Sequence, residues 1–527
     1  MTDHNRSLRV AIYTGNYNTR DGVGRVVRQK VDALRAAPDG GWQVTVFCQE
    51  SNIDDPDVRV RGGLSQVVND PAFREADIHV FHGGWTYWLL EALLFVPPTA
   101  KAMVHYEGLT PPEFLNDPAG YLATWKHRLV FHKADIVLAS SPYNAREMAE
   151  FGIAPGRLGG VLTLATTLMP RTPPAKAAGG PVNLLQVGRL VPNKGTPDLI
   201  AALAMLHPAL RGRLHLKIVG SREAADRDYL AAIDAAIAEH RLGDTIEFTG
   251  MVEDDRLSKL YAEADALLQP SYHEGFGLPV PEAYAHGCHV IAYDNSNLPD
   301  VAGGLGRIVP TGDIAALSAA IAEFVEALDS QGRADGSAAI QTDSGPKSWR
   351  QLQEDVRAYA ERYSSAAFGP AFRGALENLL RAPPSTVSRL NPAQFFEDRR
   401  SFTIRQADLT IKDVYDKPEL AVRQNRSIEY RRERHGGVSE TLLFYGPYSD
   451  LPAGRWQVQV DADLEGECLL RLTRNCGTFV HEERLSPGLP AFEFEAREDL
   501  VQFETTLFLL PETRAISLRG IQLKRVD

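Results

Sequence analysis

The sequence lacks a surplus of positive charge. Lys and Arg number 56 against 68 Asp and Glu, a formal net charge of −12 over 527 residues. That balance speaks against non-specific nucleic-acid binding and leaves room only for a local basic patch. Cysteine is scarce as well: Cys48, Cys288, Cys468 and Cys476 form no CxxC. Buried thiols in a reducing compartment are therefore expected, rather than a disulfide framework. No apolar run approaches the roughly 18 residues of a membrane span, and the opening MTDHNRSLRVAIYTG has no apolar signal core. The expectation is a cytoplasmic protein, with any membrane contact peripheral, at the inner face. A full GxGxxG is missing too: Asp21-Gly22-Val23-Gly24 is followed by Val27 where the third glycine would stand, which argues against a nicotinamide dehydrogenase. Histidines and acids show no metal-ligand spacing, and no Asp-x-Asp closes a strand. No metal and no resident cofactor are expected.

What is present is alternation. From residue 8 to about 320, apolar strands such as LRVAIYTG, ADIHVFHGG and AMVHYEG alternate with amphipathic helices, and a second series (VNLLQVGRL, LHLKIVG, TIEFTG, ADALLQPS, HVIAYDN) follows. Continuously apolar strands separated by helices indicate parallel sheets covered on both faces. Two series predict an α/β protein of two doubly wound, Rossmann-like domains, residues 1–170 and 181–348, divided by LMPRTPPAKAAGGP (168–181). Residues 330–347 are polar and glycine-rich and read as a loop; helix follows near 349–380. After APPSTVSRLNP the pattern changes to period two, as in GRWQVQVDADLEG, which predicts an antiparallel β-sandwich over 395–527.

Ligands in doubly wound sheets sit at the carboxyl ends of strands. SYHEGFGLPVPEAYAHG places Glu274 where a strand ends and Glu282 where a helix begins. Gly275 and Gly277 permit close backbone approach, and a first-turn carboxylate suits the helix dipole. Glu282 could accept hydrogen bonds from a vicinal diol such as a ribose, and Glu274 from a second sugar. An ordinary turn followed by an N-terminal glutamate explains Glu282 alone equally well. In QVGRLVPNKGTPDLI, Arg189 and Lys194 flank a glycine turn at a helix N-terminus, a diphosphate clamp in the making. His82 and His105 both close strands; for His82 a packed, hydrogen-bonded turn is the simpler reading.

Together these residues resemble the retaining glycosyltransferases of family 4, which have the GT-B fold. The family's E-x7-E is Glu274-GFGLPVP-Glu282, its Arg and Lys are Arg189 and Lys194, its glycine loop is Gly22 and Gly24 as GVG rather than GG, and its first-domain histidine is His105 in HYEG. Asp300 stands where a glutamate is usual. The resemblance covers roughly residues 8–365. It implies transfer of a sugar from a nucleotide diphosphate sugar, GDP- or UDP-linked, with retention, without a metal. It implies a donor site of Glu282, Gly22, Gly24, Gly275, Phe276, Gly277 and Leu278, with Arg189, Lys194, Glu274 and His105 near the chemistry. The acceptor, a glycan or lipid-linked glycan of surface polysaccharide biosynthesis, would sit mainly in the first domain. The transfer is that of a hexose, mannose among the candidates. The helix around Trp349 resembles the one that crosses back to the first domain. The alternatives are a glycan-binding scaffold with an inactive core, or another GT-B enzyme such as a nucleotide-sugar epimerase.

Two features lie beside that pattern. GYLATWKHRLVFHKAD (120–135) interleaves Lys126, His127, Arg128, His132 and Lys133 with Trp125, Leu129 and Phe131. It fits a core-packing helix with a solvated basic face better than an anionic-lipid surface. The tail resembles, loosely, β-sandwich modules of polysaccharide-building enzymes. Trp456 lies on the apolar side of its strand and reads as core rather than as a sugar platform.

Overall fold

The structure, a computed structural model, describes residues 7–18, 22–38, 41–84, 87–111, 114, 128–166, 168, 170–171, 180–222, 225–328 and 330–390, and then most strand residues between 401 and 526. These group into two compact units. One comprises Met1–Arg59 with Glu75–Ser388; the other comprises Val60–Arg74 with Arg389–Asp527.

The first unit contains two parallel sheets. Strands β1 (Leu8–Tyr17), β2 (Trp42–Ser51), β3 (Val58–Val60), β4 (Ile78–Gly83), β5 (Lys101–Tyr106), β6 (Ile136–Ala139) and β7 (Leu158–Val161) take the order 3-2-1-4-5-6-7. Strands β8 (Val182–Val187), β9 (Leu214–Val219), β10 (Ile246–Gly250), β11 (Ala266–Gln269), β12 (His289–Tyr293) and β13 (Arg307–Val309) take the order 10-9-8-11-12-13. Every residue of β4, β11 and β12 is buried. That is why these strands are mainly apolar instead of alternating, with His79, His82, Gln269 and His289 as their buried polar members. In each sheet the order reverses beside the first strand, between β1 and β4 and between β8 and β11. The crevice at such a reversal is where doubly wound folds bind ligands.

The helices show how each sheet acquires its cover. Gly22–Arg35 buries Val26, Val27, Lys30, Val31 and Leu34, one stripe at helical spacing that includes a lysine. Helix Trp349–Ala360 buries Trp349, Leu352, Val356 and Ala360 in the core of the second sheet. The next helix, Ser365–Arg381, buries Phe368, Phe372, Leu376 and Leu379 with Val27, Val31 and Leu34 in the core of the first. Its Arg373 donates to the Ala33 carbonyl at 2.5 Å. The crossing segment is thus this second helix, and the helix that begins at Trp349 stays with the second sheet.

Residues 330–347, expected as a loop, contain a helix Ser330–Asp335 and a two-strand hairpin, Ala339–Ile340 with Lys347–Ser348. Polar composition concealed the fastening. Arg333 pairs with the buried Asp265 and donates to the Pro181 carbonyl at 2.9 Å, while Ile340 is buried.

Among its described residues the second unit carries two antiparallel sheets of six strands each. Trp456 and Val458 from one sheet share a core with Leu470, Leu472 and Phe503 from the other. Trp456 is fully buried, as its apolar-side position predicts.

Candidate functional site

The turn after β8 is built around glycine. Gly195 adopts φ +64°, and a Cβ there would lie 1.9 Å from the Pro270 carbonyl oxygen, so this position tolerates no side chain. Gln186 donates to the Lys194 carbonyl at 3.0 Å, and Thr196 donates back to Gln186 at 3.1 Å. The turn so fixed aims Lys194 Nζ at Glu274 Oε1, 2.6 Å away. Gln269 and Ser271, at the end of β11, donate to the same oxygen at 2.6 and 2.9 Å. Burial opposes the charge on Glu274, but Lys194 and these donors outweigh it and hold its pKa below the ordinary value. Lys194 and Glu274 therefore meet at the β8/β11 reversal. Arg189, the other predicted clamp residue, is exposed beside it.

Glu282 lies in the first turn of the helix Pro279–Ala285 and is 3% exposed. Tyr261 donates to Oε2 at 2.9 Å, and Arg25 reaches Oε1 at 3.3 Å from the helix that follows β1. Burial raises the pKa of Glu282 to about 7, and Arg25 and Tyr261 limit the rise. Arg25 also donates to Asp254 at 2.7 Å. Sequence reasoning passed over Arg25, which stands directly after Gly24. Its partners are 229 and 257 residues away, so no local spacing announced them.

Between the two glutamates the loop presses against the first sheet. A Cβ on Gly275 would fall 2.0 Å from the Glu107 carbonyl oxygen, and Ser141 donates to the Gly275 carbonyl at 2.9 Å. Gly277 adopts φ +86°. Phe276, expected at the donor, instead turns its ring into the core, edge-on to Tyr363 at 5.7 Å. Asn297 holds its carbonyl at 2.7 Å. Leu278 is half-buried. Of the predicted glycine loop, Gly24 packs tightly, since a Cβ would lie 2.2 Å from the Asn18 carbonyl oxygen, while Gly22 faces open space. Asp21 lies outside the described residues.

His105 does not point into the cleft. It is fully buried, and its Nε2 lies 2.8 Å from the Leu162 carbonyl. Burial, with Lys30 nearby, lowers its pKa to about 3, so the ring is neutral. The polar group at this end of the first sheet is a different one. Lys30 Nζ is 3.1 Å from Glu107 Oε1, and His82 Nδ1 is 2.9 Å from the same oxygen. The available signal for Lys30 was its place on an apolar helical stripe.

The basic segment 120–135 is described only from Arg128. Arg128 is buried against Glu147 at 2.6 Å and the Tyr106 hydroxyl at 2.7 Å, and Phe131 is buried in the turn that follows. Leu129 is 60% exposed. The Trp125, Lys126 and His127 positions lie outside the described residues. Among those described, no helix is long and apolar enough to cross a membrane, and no His, Cys, Asp and Glu side chains cluster as metal ligands.

Comparison with known proteins places this geometry. Residues 173–335, the stretch that carries Arg189, Lys194, Glu274 and Glu282, match the family described as Glycosyl transferases group 1. Among curated relatives, the O-antigen chain mannosyltransferase B of Escherichia coli is 32% identical over 142 residues, 27% of this chain and 36% of its own. The glycogen synthase of Mycobacterium tuberculosis is 37% identical over 156 residues, 28% and 34% of the two chains. The chain thus spans about a third of the length of these relatives. Solved structures extend the likeness over both sheets and establish the GT-B fold. The sucrose-phosphate synthase of Thermosynechococcus elongatus aligns with TM-score 0.54 at 21% identity over 71% of this chain and all of its own. HepE of Anabaena, in complex with UDP and glucose, aligns with TM-score 0.53 at 16% identity over 70% of this chain and all of its own.

Proposed function

We propose that the chain is a retaining glycosyltransferase. It moves a hexose from a nucleotide diphosphate sugar to a glycan or lipid-linked glycan in the assembly of a surface polysaccharide. The observation that carries this reading is the Lys194–Glu274 contact, 2.6 Å, at the strand-order reversal of a domain that matches group 1 glycosyltransferases. A cation and a carboxylate held at one point suit the two ends of one bond: the diphosphate to be released and the sugar to be transferred. Arg189, exposed beside them, is free to turn to the same diphosphate. Lys194 and Arg189 then stabilise charge as it grows on the leaving group, the largest catalytic contribution such a site offers. Glu274, released from Lys194, accepts hydrogen bonds from the sugar hydroxyls, and Glu282 accepts them from the ribose.

Retention is supported by the E-x7-E spacing shared with family 4. A UDP- or GDP-linked donor is supported by the UDP and glucose held by HepE and by the mannosyltransferase among the relatives. The reaction needs no metal, because Arg189 and Lys194 supply the positive charge. A thermal-shift screen of the full chain against UDP, GDP, ADP and TDP tests the proposal, followed by nucleotide release from the matching sugar donor. A folded protein that none of the four stabilises would sink it.

A further inference from the structure

Gln269 is out of place on its strand. It ends β11 after Ala266, Leu267 and Leu268, on a strand flanked by β8 and β12 and buried along its whole length. A leucine would fill such a position with no polar atom to satisfy. The carboxamide instead reaches Glu274 Oε1 at 2.6 Å and Ser271 Oγ at 3.0 Å, and Ser271 Oγ reaches the same Glu274 oxygen at 2.9 Å. The direction of every bond in this triangle follows from Glu274. An ionised carboxylate only accepts, so Ser271 donates its hydroxyl hydrogen to it. Ser271 Oγ then accepts from Gln269, and both amide hydrogens of Gln269 are engaged. The amide is thereby fixed with its oxygen turned away, and Gln269 Oε1 is buried with no partner among the described residues. Such an orphan destabilises the fold. Gln186, near the end of the neighbouring β8, shows the contrast. It donates to the Lys194 carbonyl at 3.0 Å, and its own oxygen is satisfied by Thr196 at 3.1 Å. Gln186 is complete within the fold, and Gln269 is not.

The two oxygens of Glu274 are not equivalent. Lys194 Nζ, Gln269 Nε2 and Ser271 Oγ all meet on Oε1. Among the described residues nothing meets Oε2, and unlike Gln269 Oε1 this oxygen is not sealed from solvent. The three donors differ in kind. Lys194 is half-buried and carries the charge that the proposed reaction directs to the diphosphate. Gln269 and Ser271 are neutral, buried and rooted at the end of β11. Once Lys194 turns away, these two are the donors left to a buried carboxylate. We infer that Gln269 and Ser271 are positioning residues for the donor sugar: they retain Glu274 by Oε1 while Lys194 serves the diphosphate, and so keep Oε2 turned to a sugar hydroxyl. An oxygen that only accepts calls for a donor sugar presenting a hydroxyl at that point, not a carboxylate. This inference rests on the transferase reading.

The test uses the full-length chain and two ligand pairs, UDP with UDP-glucose and GDP with GDP-mannose. Affinities are measured by calorimetry without an acceptor, and each variant is read as the ratio of nucleotide-sugar affinity to nucleoside diphosphate affinity. Gln269→Met keeps the length of the side chain and removes its donor; Ser271→Ala removes the hydroxyl. In both, the ratio is expected to fall about tenfold, the scale of one hydrogen bond to a charged group. Gln269→Met also removes the orphaned oxygen, so its melting temperature should stay near that of the wild type, and it decides the matter alone if Ser271→Ala fails to fold. A purely structural role for Gln269 would weaken both ligands alike and leave the ratio where it was. An unchanged ratio in Gln269→Met, or a wild type that binds a diphosphate but neither nucleotide sugar, overturns the positioning role and leaves the transferase reading standing. Failure of the wild type to bind either diphosphate overturns both.

Discussion

Arg25 Nη1 and Glu282 Oε1 stand 3.3 Å apart, one on the helix after the first strand of the first sheet, the other on the helix after the loop that carries Glu274. The pair joins the two sheets of the first unit through the very carboxylate assigned to the ribose. On the proposed reading, nucleotide binding and the Arg25 contact draw on the same oxygens.

That relationship has a pH signature. Glu282 titrates near 7 because it is buried, and Arg25 pulls the value down. A ribose diol donates to the carboxylate only once it is ionised. Nucleoside diphosphate affinity is expected to rise between about pH 6 and about pH 8, and Arg25→Ala should move the midpoint upward. Stability carries the opposite slope. The folded pKa lies above the ordinary 4.5, so the contribution of Glu282 is present at low pH and is lost as pH climbs from 4.5 toward 7. Melting curves of Glu282→Gln should lose that slope. Identical pH profiles for wild type and Glu282→Gln would show that Glu282 titrates elsewhere.

The clamp residues separate by environment. Arg189→Ala removes an exposed side chain, so turnover is expected to drop by about two to three orders of magnitude with an unchanged melting temperature. Lys194→Ala removes the same support for the leaving group and also strips the buried Glu274 of its cation, so melting temperature falls together with turnover. Near-normal turnover in both variants would remove the diphosphate assignment.

Two glycines distinguish packing from ligand approach. Gly275→Ala forces a Cβ to 2.0 Å from the Glu107 carbonyl oxygen, and both stability and nucleotide affinity should fall. Gly22→Ala meets nothing within 4 Å, so stability should hold, and a loss of nucleotide affinity there identifies a residue the ligand touches. If Gly22→Ala binds nucleotide as tightly as wild type, its place in the donor site is withdrawn.

Metal dependence is the simplest measurement. The cleft carboxylates already face cations or hydroxyls: Glu274 faces Lys194, and Glu282 faces Arg25 and Tyr261. Transfer is expected to survive EDTA. Loss of activity with EDTA, restored by magnesium or manganese, would reassign the charge on the diphosphate to an ion.

Much of this was legible because local pattern and local structure coincide. Strands covered on both faces are mainly apolar rather than alternating, so β4, β5, β8, β11 and β12 could be read directly. Glu274 and Glu282 are eight residues apart on either side of a loop that the strand end and the helix start define. The remainder depends on contacts remote in sequence. The family resemblance places His105 at the donor sugar, but its ring direction is set by the Leu162 carbonyl, 57 residues on. Lys30, His82 and Glu107 meet across separations of 52 and 77 residues. Phe276 lies between the two glutamates and was read with its neighbours, whereas Tyr363 draws it into the core.

The tail supplies the last prediction. Residues assigned to the donor lie in the unit that ends at Ser388, and the antiparallel sheets beyond it have their own core of Trp456, Leu470 and Phe503. A chain ended after Ser388 retains the Lys101 contact with Ala382, 3.2 Å, and the Lys133 contact with Ser388, 2.9 Å. Nucleotide affinity should therefore match the full chain, since each doubly wound sheet binds at its own strand ends. The segment Val60–Arg74, which begins on the last residue of β3, groups with the removed residues. Truncation leaves Val67, Val68 and Phe73, all buried in the whole chain, in a segment separated from its own unit. A lower melting temperature at unchanged nucleotide affinity is the expected combination. If the shortened chain is insoluble or binds no nucleotide, the tail completes the fold of the catalytic half; if its melting temperature is unchanged, Val60–Arg74 owes nothing to the tail.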